Sequence, residues 1–181
     1  MEGKIIVIVA PSGSGKSTLI RRLKKDFPQL VESVSYTTRP QRPEEQDGEH
    51  YYFISKEDFE RMKEHDEFIE WAEVHSNYYG TSKEFVENRL KQGVNLLFDL
   101  DVQGTDAFKN YFGDKAKAIF VAPPSTEELK NRLRTRGTED TGIINLRLEN
   151  SKKEMLRKDD YDYCVVNDEL ERAYAELKEI V

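Results

Sequence analysis

Residues 10–18 read APSGSGKST, and they stand between a β-branched run, Ile5–Val9, and a segment with helical spacing, STLIRRLKKDF. The stretch follows the phosphate-binding pattern G-x-x-x-x-G-K-[ST], except that Ala10 takes the place of the first glycine. A flexible turn with an exposed lysine is the alternative interpretation. The buried strand before the stretch and the helix after it favour a phosphate-binding loop.

Each residue type in this stretch suits a bound nucleoside triphosphate. Gly13 and Gly15 can adopt conformations that turn successive N–H groups inward, and the helix that follows adds its positive end. We expect Lys16 to span the β- and γ-phosphates and the Ser17 hydroxyl to bind Mg²⁺. The predicted ATP site therefore includes Ser12, Gly13, Ser14, Gly15, Lys16, Ser17 and Thr18.

The order of strand and then helix recurs along the chain. Apolar runs at 95–100, 118–122 and 163–166 are each followed by a helical pattern. Repeated β-then-α units predict an α/β fold, with a doubly wound parallel sheet as the core of a P-loop kinase. Two helices are expected to begin at capping patterns, Ser125 with Glu128 and Asp168 with Glu171.

Two segments interrupt this alternation. Between Ser33 and Tyr79 the chain has short alternating segments rich in Tyr, Phe and Glu, which predict a small β-rich insertion. Residues 135–142 (TRGTEDTG) are polar and predict an exposed loop between two helices. We therefore expect a single domain over residues 1–181, with a core of 1–32 and 82–181, an inserted lobe of about 33–81 and a lid of about 135–148.

Composition excludes several classes of partner. The 181 residues carry a net charge of −7, so the surface repels nucleic acid polymers and anionic membranes, and an anionic ligand needs a local basic pocket. No apolar stretch has the length of a membrane span and no secretory leader precedes the first strand, so we expect a cytoplasmic protein. Cys164, in the apolar run YCVV, is expected in the core, and the three histidines share no metal-ligand spacing.

A second candidate phosphate site lies in the insertion. Arg39 and Arg42 stand three apart in TTRPQRP, where Pro40 and Pro43 disfavour helix for the residues before them. Guanidinium groups bind phosphate through paired hydrogen bonds, so the two arginines could clamp a phosphomonoester. A solvated turn with two charged residues is the alternative. The chain lacks the NKxD motif with which GTPases bind guanine. The phosphate loop by itself does not distinguish a kinase from an ATPase.

Here the sequence resembles the guanylate kinase family over nearly its whole length. The similar blocks, in the family's order, are APSGSGKST, SVSYTTRPQRP, DGEHYYF, EFIEWAEV, NYYGTS, LLFDLDVQG, FVAPPS, RLRTRG and VVND. The resemblance implies a GMP site in the insertion, with the phosphate held by Arg39, Arg42, Tyr51 and Tyr79 and the guanine surrounded by Ser35, Glu70 and Thr81. A carboxylate such as Glu70 suits guanine because it accepts two hydrogen bonds side by side, from N1–H and the 2-amino group.

Asp99 and Asp101 close the run LLFDLD at the carboxyl end of a predicted strand, where ligands collect in open α/β sheets. We expect one of them to hold Mg²⁺ through water and the other to contact guanine or orient an arginine, and the sequence leaves open which does which.

The resemblance also implies a donor side. Arg132, Arg136 and Arg147 resemble the family's lid arginines, which fold over the ATP phosphates, and Asn167 matches a position near the adenine. Ordinary helix-surface charge is the alternative for each arginine.

The expected reaction is in-line transfer of the γ-phosphoryl group of ATP to GMP, with the charge stabilised by Lys16, Mg²⁺, Arg39 and the lid arginines. One alternative is a non-catalytic module that binds a phosphorylated peptide in the GMP pocket, which the intact GKS sequence at 15–17 disfavours. A kinase for another phosphate-bearing acceptor is the second alternative, and Glu70 and Ser35 disfavour it.

Overall fold

The structure is a computed structural model that describes residues 2–135 and 141–181. Its main sheet has five strands: β1 (Ile5–Val9), β2 (Leu30–Glu32), β7 (Asn95–Leu100), β8 (Ala116–Ala122) and β9 (Tyr163–Val166). All of its strand pairs are parallel, in the order β2-β7-β1-β8-β9. The carboxyl ends of β1, β7 and β8 therefore meet at one edge, where an α/β sheet offers its ligand site.

Helices cover both faces of this sheet. The covering helices are α1 (Lys16–Asp26), α3 (Lys83–Lys91), α4 (Val102–Phe112) and α7 (Leu170–Ile180), while α5 (Thr126–Thr135) and α6 (Thr141–Met155) pack against each other. Ile6 and Ile8 of β1 belong to the apolar cluster on the α1 and α7 face, while Val7 packs in the cluster that contains Phe108 of α4. A strand whose side chains are buried on both faces is typical of a doubly wound sheet, so the predicted fold class is confirmed.

The inserted segment forms a second sheet of four strands. These are β3 (Tyr36–Thr37), β4 (Tyr52–Phe53), β5 (Phe68–Val74) and β6 (Asn77–Ser82), in the order β4-β3-β6-β5. Helix α2 (Lys56–Glu64) joins β4 to β5 and buries Phe59, whose ring stacks on Phe68 and on Tyr78 at centroid distances of 4.4 and 5.3 Å. Strand β5 also packs against α4, which brings the second sheet to the ligand edge of the first.

The element predictions differ from the structure in three places. The loop predicted for residues 135–142 overlaps both neighbouring helices, because α5 extends to Thr135 and α6 begins at Thr141, and residues 136–140 lie outside the described residues. Strand β8 begins at Ala116, two residues before the predicted start, because Ala116 is fully buried and pairs with Ile5. The Ser125 half of the first capping pattern is confirmed, since its hydroxyl accepts from the Glu128 backbone N–H at 3.1 Å, whereas the Glu128 carboxylate pairs with Arg132.

The predicted capping pattern of Asp168 with Glu171 is wrong. Helix α7 begins at Leu170, and the Asp168 carboxylate instead accepts from the Glu169 backbone N–H at 2.6 Å and pairs with Arg172. Glu171 is occupied as well, in an ion pair with Arg22 at 2.6 Å. Ion pairing has therefore taken both side chains away from the capping role.

Across the described ranges, none of the helices is both long enough and apolar enough to cross a bilayer. Cys164 is half-buried and packs against the α4 face of the core, where burial raises the pKa of its thiol. A thiol with a raised pKa carries less thiolate, which fits the predicted packing role.

Candidate active site

The loop between β1 and α1 is shaped by two glycines in the left-handed region. Gly13 has φ of 90° and Gly15 has φ of 92°, which residues with a side chain rarely adopt. The loop surrounds a cavity of about 350 Å³, and the residues that line it include all seven predicted loop residues: Ser12, Gly13, Ser14, Gly15, Lys16, Ser17 and Thr18. The predicted loop therefore does enclose a space large enough for phosphate groups.

Backbone N–H groups at the start of α1 supply donors to this cavity. Within the described part of the chain, the amides of Gly15, Lys16 and Ser17 have no hydrogen-bond acceptor, whereas Ser14 N donates to the Pro11 carbonyl at 3.2 Å. The first N–H groups of a helix lack intrahelical partners and carry its positive end. An anion in the cavity would satisfy them.

Lys16 reaches from this loop to the neighbouring strand. Its ammonium group donates to the Leu100 carbonyl at 2.9 Å and forms an ion pair with Asp99. Because Val9 and Leu100 are partners in the parallel sheet, the loop after β1 and the end of β7 are held side by side. The lysine side chain is only 18% exposed, so its positive charge is held at the ligand edge of the sheet rather than in solvent.

Asp101 lies at the junction of two cavities. Its Oδ1 accepts from the Gly104 backbone N–H at 2.8 Å, which makes Asp101 the N-cap of α4 and fixes its side chain. It lines the phosphate-loop cavity and also the cavity that contains Glu70. Asp99 lines the Glu70 cavity and pairs with Lys16, so the two aspartates occupy different surroundings.

A second cavity, of about 490 Å³, adjoins the outer side of the loop. Its lining includes Gly13, Gly15, Thr18, Arg132 and Asn167. Arg132 donates through Nε to Glu128 at 3.0 Å, one turn earlier in α5.

Helix α6 supplies another predicted arginine, since Arg147 Nη1 lies 3.3 Å from the Ser12 hydroxyl and donates to it. Arg136 falls outside the described residues. Two of the three predicted lid arginines are thus placed beside the loop.

The inserted sheet and the core enclose a third cavity, of about 480 Å³. Six of the nine residues predicted for GMP line it, namely Ser35, Tyr51, Glu70, Tyr79, Asp99 and Asp101. They come from five separate segments of the chain, which the packing of β5 against α4 helps to bring together. The remaining three, Arg39, Arg42 and Thr81, lie behind or beside this wall.

Glu70 is a half-buried carboxylate in the wall of this cavity. The Thr81 hydroxyl, which is fully buried, donates to Glu70 Oε1 at 2.6 Å. Burial raises the pKa of Glu70, and the nearby Asp101 charge raises it further, while the Thr81 hydrogen bond opposes the shift. A carboxylate in such surroundings is stabilised by a ligand that offers hydrogen-bond donors.

Arg39 is held by a residue that the sequence analysis did not single out. Its guanidinium donates to both carboxylate oxygens of Glu45, at 3.0 and 2.6 Å, and stands over the Tyr51 ring at 5.4 Å from the centroid. Hydrogen bonds from the Arg39 side chain and from the Arg42 backbone lower the pKa of Glu45 to about 2. Arg42 itself lies exposed on the loop next to this pair.

Two site residues were missed from the sequence. Glu45 follows another glutamate in RPEEQ, and nothing in that pair tells which carboxylate turns back to Arg39. Glu154, near the end of α6, lines the phosphate-loop cavity although it lies well outside the recognised blocks. Burial and the Asp101 charge raise its pKa, and the Lys16 charge opposes that shift.

Comparison with known proteins now bears on this arrangement. The sequence profile of a family described as Guanylate kinase matches residues 2–181. The chain belongs to the guanylate kinase family.

Curated guanylate kinases are similar over nearly the whole chain. The guanylate kinase of Bartonella quintana (strain Toulouse) is 49% identical over 178 residues, which are 98% of this chain and 80% of that protein. The guanylate kinase of Thermotoga maritima is 44% identical over 181 residues, 100% of this chain and 87% of that protein. A crystal structure of guanylate kinase from Anaplasma phagocytophilum, 32% identical, aligns with a TM-score of 0.69 over 99% of this chain and 84% of that one. The expectation of this family is therefore confirmed.

Proposed function

We propose that this chain transfers the γ-phosphoryl group of ATP to GMP, giving ADP and GDP. The observation that carries the proposal is the position of Asp101, at the junction of the phosphate-loop cavity and the Glu70 cavity. A donor and an acceptor bound in these two cavities would meet at the end of β7, beside the Lys16 ammonium group. Membership of the guanylate kinase family supports the same reaction.

The Glu70 cavity is the proposed acceptor site. Guanine offers two adjacent donors, N1–H and the 2-amino group, and both would bind the Glu70 carboxylate, whose partner Thr81 holds it in place. Ser35, on the same wall, would complete the contacts to the base. Adenine has an acceptor at N1 and would cover the Glu70 carboxylate without giving it a donor there, which is costly.

The GMP phosphate would bind beside Arg39, Tyr51 and Tyr79, with Arg42 on the adjoining exposed loop. Arg39 already stands over Tyr51, and the Tyr79 hydroxyl is a further partner that raises the pKa of the guanidinium. Glu45 accepts two hydrogen bonds from Arg39, and the Pro40 carbonyl accepts a third from Nη1 at 2.8 Å, so these partners orient the guanidinium and a phosphate would take the N–H groups on its other edge. Exposed Arg42 would add its charge when the phosphate arrives.

On the donor side, the loop amides and Lys16 would hold the ATP phosphates, with Arg132 and Arg147 from α5 and α6 and Arg136 from the segment between them. These groups neutralise the charge that spreads over the transferring oxygens, and phosphoryl transfer is catalysed mainly by positioning and charge. The acceptor phosphate is ionised at neutral pH, so no residue is required as a general base.

Mg²⁺ is the proposed cofactor. Ser17 is exposed in the first turn of α1, and Asp101 lines the same cavity, so a hydroxyl and a carboxylate are available there. Within the described ranges no group of three or more His, Cys, Asp or Glu side chains could cage a metal, which fits an ion bound mostly by water and phosphate oxygens. The bound ion would neutralise charge on the phosphate oxygens, with Ser17 as a direct ligand and Asp99 or Asp101 acting through water.

The proposed division of labour follows the two sheets, with residues of about 33–81 as the GMP-binding lobe, 1–32 and 82–181 as the core, and about 135–148 as the lid. ATP and GMP are the proposed partners, without a nucleic acid polymer or a membrane. We propose the cytoplasm as the location because both nucleotides are available there.

An acceptor screen tests the function. The purified chain is incubated with MgATP and, separately, GMP, dGMP, AMP, CMP and UMP, and ADP formation is measured. We expect the highest kcat/KM with GMP. A better acceptor of another base would replace the proposal by a related kinase, and binding of GMP without turnover would favour a non-catalytic module.

A further inference from the structure

Asn167 contacts the phosphate loop from the carboxyl end of β9, two strands away from β1 in the sheet. It follows β9 directly and is only 5% exposed. Its Nδ2 donates to the Ser14 carbonyl at 2.7 Å. Its own backbone N–H donates to the Ala122 carbonyl at 2.8 Å, at the end of β8. The side chain is thus anchored to two neighbouring strands of the rigid sheet.

The contact fixes a particular peptide group. The Ser14 carbonyl and the Gly15 N–H belong to one planar trans peptide, so the two bonds point in opposite directions. Asn167 is absent from the described lining of the loop cavity, whereas Gly15 is part of it. A carbonyl drawn toward Asn167 therefore turns the Gly15 N–H away from Asn167 and toward the inside of the loop.

Gly15 shows how closely the two parts fit. A Cβ built on Gly15 would lie 2.3 Å from Asn167 Nδ2, well inside van der Waals contact. The φ of 92° independently excludes most side chains at this position. Glycine is needed here both for the backbone conformation and to let the Asn167 amide reach the carbonyl.

From this geometry we propose that Asn167 is a positioning residue for the phosphate loop, which sets the direction of the Ser14–Gly15 peptide and aims the Gly15 N–H at the bound phosphates. The inference rests on the proposed function and adds to the contact with adenine that the family resemblance implies. Since Asn167 also lines the cavity shared by Arg132 and Leu170, one side chain joins the wall for the base to the site for the phosphates.

Two probes separate the roles. Inorganic tripolyphosphate with Mg²⁺ is a phosphate chain without a base, and adenosine is a base without phosphate. Both are titrated by calorimetry into the wild-type chain and into Asn167→Ala and Asn167→Asp. The Asp variant keeps the shape but places a carboxylate oxygen against the Ser14 carbonyl, so it removes the donor without leaving a hole. Leu170→Ala is the matched control, because Leu170 lines the same cavity without a hydrogen bond to the loop.

We expect tripolyphosphate to bind about tenfold more weakly to Asn167→Ala and weaker still to Asn167→Asp, as for a lost buried hydrogen bond. Leu170→Ala should change adenosine binding alone. GMP affinity should stay at the wild-type value in both Asn167 variants, which a general loosening of the fold would not allow.

Unchanged tripolyphosphate binding in folded Asn167 variants would overturn the inference, and weaker adenosine binding alone would leave Asn167 as a contact to the base. The proposed function is judged separately, by wild-type turnover. If the wild-type chain does not phosphorylate GMP but the Asn167 variants bind tripolyphosphate more weakly than the wild type, the proposed function is contradicted and the role of Asn167 is supported.

Discussion

The donor loop and the acceptor cavity recognise their ligands in different ways. The loop is one continuous stretch, residues 10–18, and it presents backbone N–H groups whose direction depends on two glycines. The acceptor wall joins side chains from five segments, held by packing of the inserted sheet against α4. Backbone donors bind any phosphate chain, whereas side chains can choose a base. The core should therefore determine whether transfer occurs, and the inserted lobe which nucleotide receives the phosphoryl group.

Two glutamates in the lobe show the same contrast within one region. Glu45 is paired with Arg39, which lowers its pKa to about 2, so it stays charged over any working pH. Glu70 is half-buried beside a single hydroxyl donor, and its partial burial leaves its pKa raised. A satisfied carboxylate supports the structure, while an undersatisfied one is prepared for a ligand with donors.

The largest effect is expected from the donor side. Lys16→Met should lower kcat by about a thousandfold or more, because it removes a charge that acts on the transferring phosphoryl group. ADP formation with saturating GMP and MgATP measures it. Lys25→Met, an exposed lysine on the same helix, is the control and should keep the wild-type rate. Near-normal turnover of well-folded Lys16→Met would separate the loop from the chemistry.

Next comes the carboxylate of the acceptor wall. In Glu70→Gln an amide donor replaces one acceptor oxygen, so two donors oppose each other in a desolvated cavity. The expected loss in kcat/KM for GMP is about 2 to 3 kcal/mol, roughly a hundredfold. Steady-state rates at varied GMP test it, with Glu73→Gln on the exposed part of the same strand as the control. Equal losses in both variants would point to charge in the lobe rather than to a contact with the base.

A smaller effect is expected at the phosphate of the acceptor. Arg42→Ala should lower the affinity for GMP by about ten- to thirtyfold and the affinity for guanosine hardly at all, since the lost contact is a charge-assisted hydrogen bond to phosphate. ATP affinity should remain at the wild-type value. Titration of GMP, guanosine and ATP gives the three dissociation constants. Arg61→Ala, which removes an exposed arginine of the lobe, is the control. Loss of ATP binding would assign Arg42 to the donor.

The smallest effect concerns stability. Because the folded-state pKa of Glu70 lies above its ordinary value of 4.5, protonation favours the folded state. That contribution is present below 4.5 and is lost as pH rises through the raised pKa, so the ionised carboxylate destabilises the free protein at neutral pH. Glu70→Gln should therefore raise the unfolding midpoint at pH 7.5 by about 2 to 4 °C and weaken its pH dependence. A lower midpoint would show that the charge is already well satisfied.

Much of the core could be predicted because it depends on local pattern. The β-branched run at Ile5–Val9 is buried on both sides, and its strand bounds agree with the structure. The glycines of the loop follow directly from the conformations that the loop needs. The capping error at Asp168 has the opposite origin, because Arg172, one turn later, competes for the same carboxylate.

The lobe could be predicted only through resemblance to a family. The sequence places Arg39 and Arg42 three apart, but it does not say that Glu45 folds back on Arg39. The pairing of Glu70 with Thr81 crosses between β5 and β6, where the register shifts between Phe68 and Glu70, and no local pattern specifies that shift. The sequence leaves open which of Asp99 and Asp101 holds Mg²⁺. The two carboxylates differ in their contacts, since Asp99 pairs with Lys16 and Asp101 caps α4.

The most direct test of the division between core and lobe is the ratio of kcat/KM for GMP to that for AMP in three proteins: wild type, Lys16→Arg and Glu70→Gln. Lys16→Arg keeps the charge but changes the position of the charged group, so it should lower kcat/KM by the same factor for both acceptors and leave the ratio unchanged. Glu70→Gln should shift the ratio toward AMP, because the new amide can donate to adenine N1. An unchanged ratio in Glu70→Gln, or an equal shift in Lys16→Arg, would contradict the account.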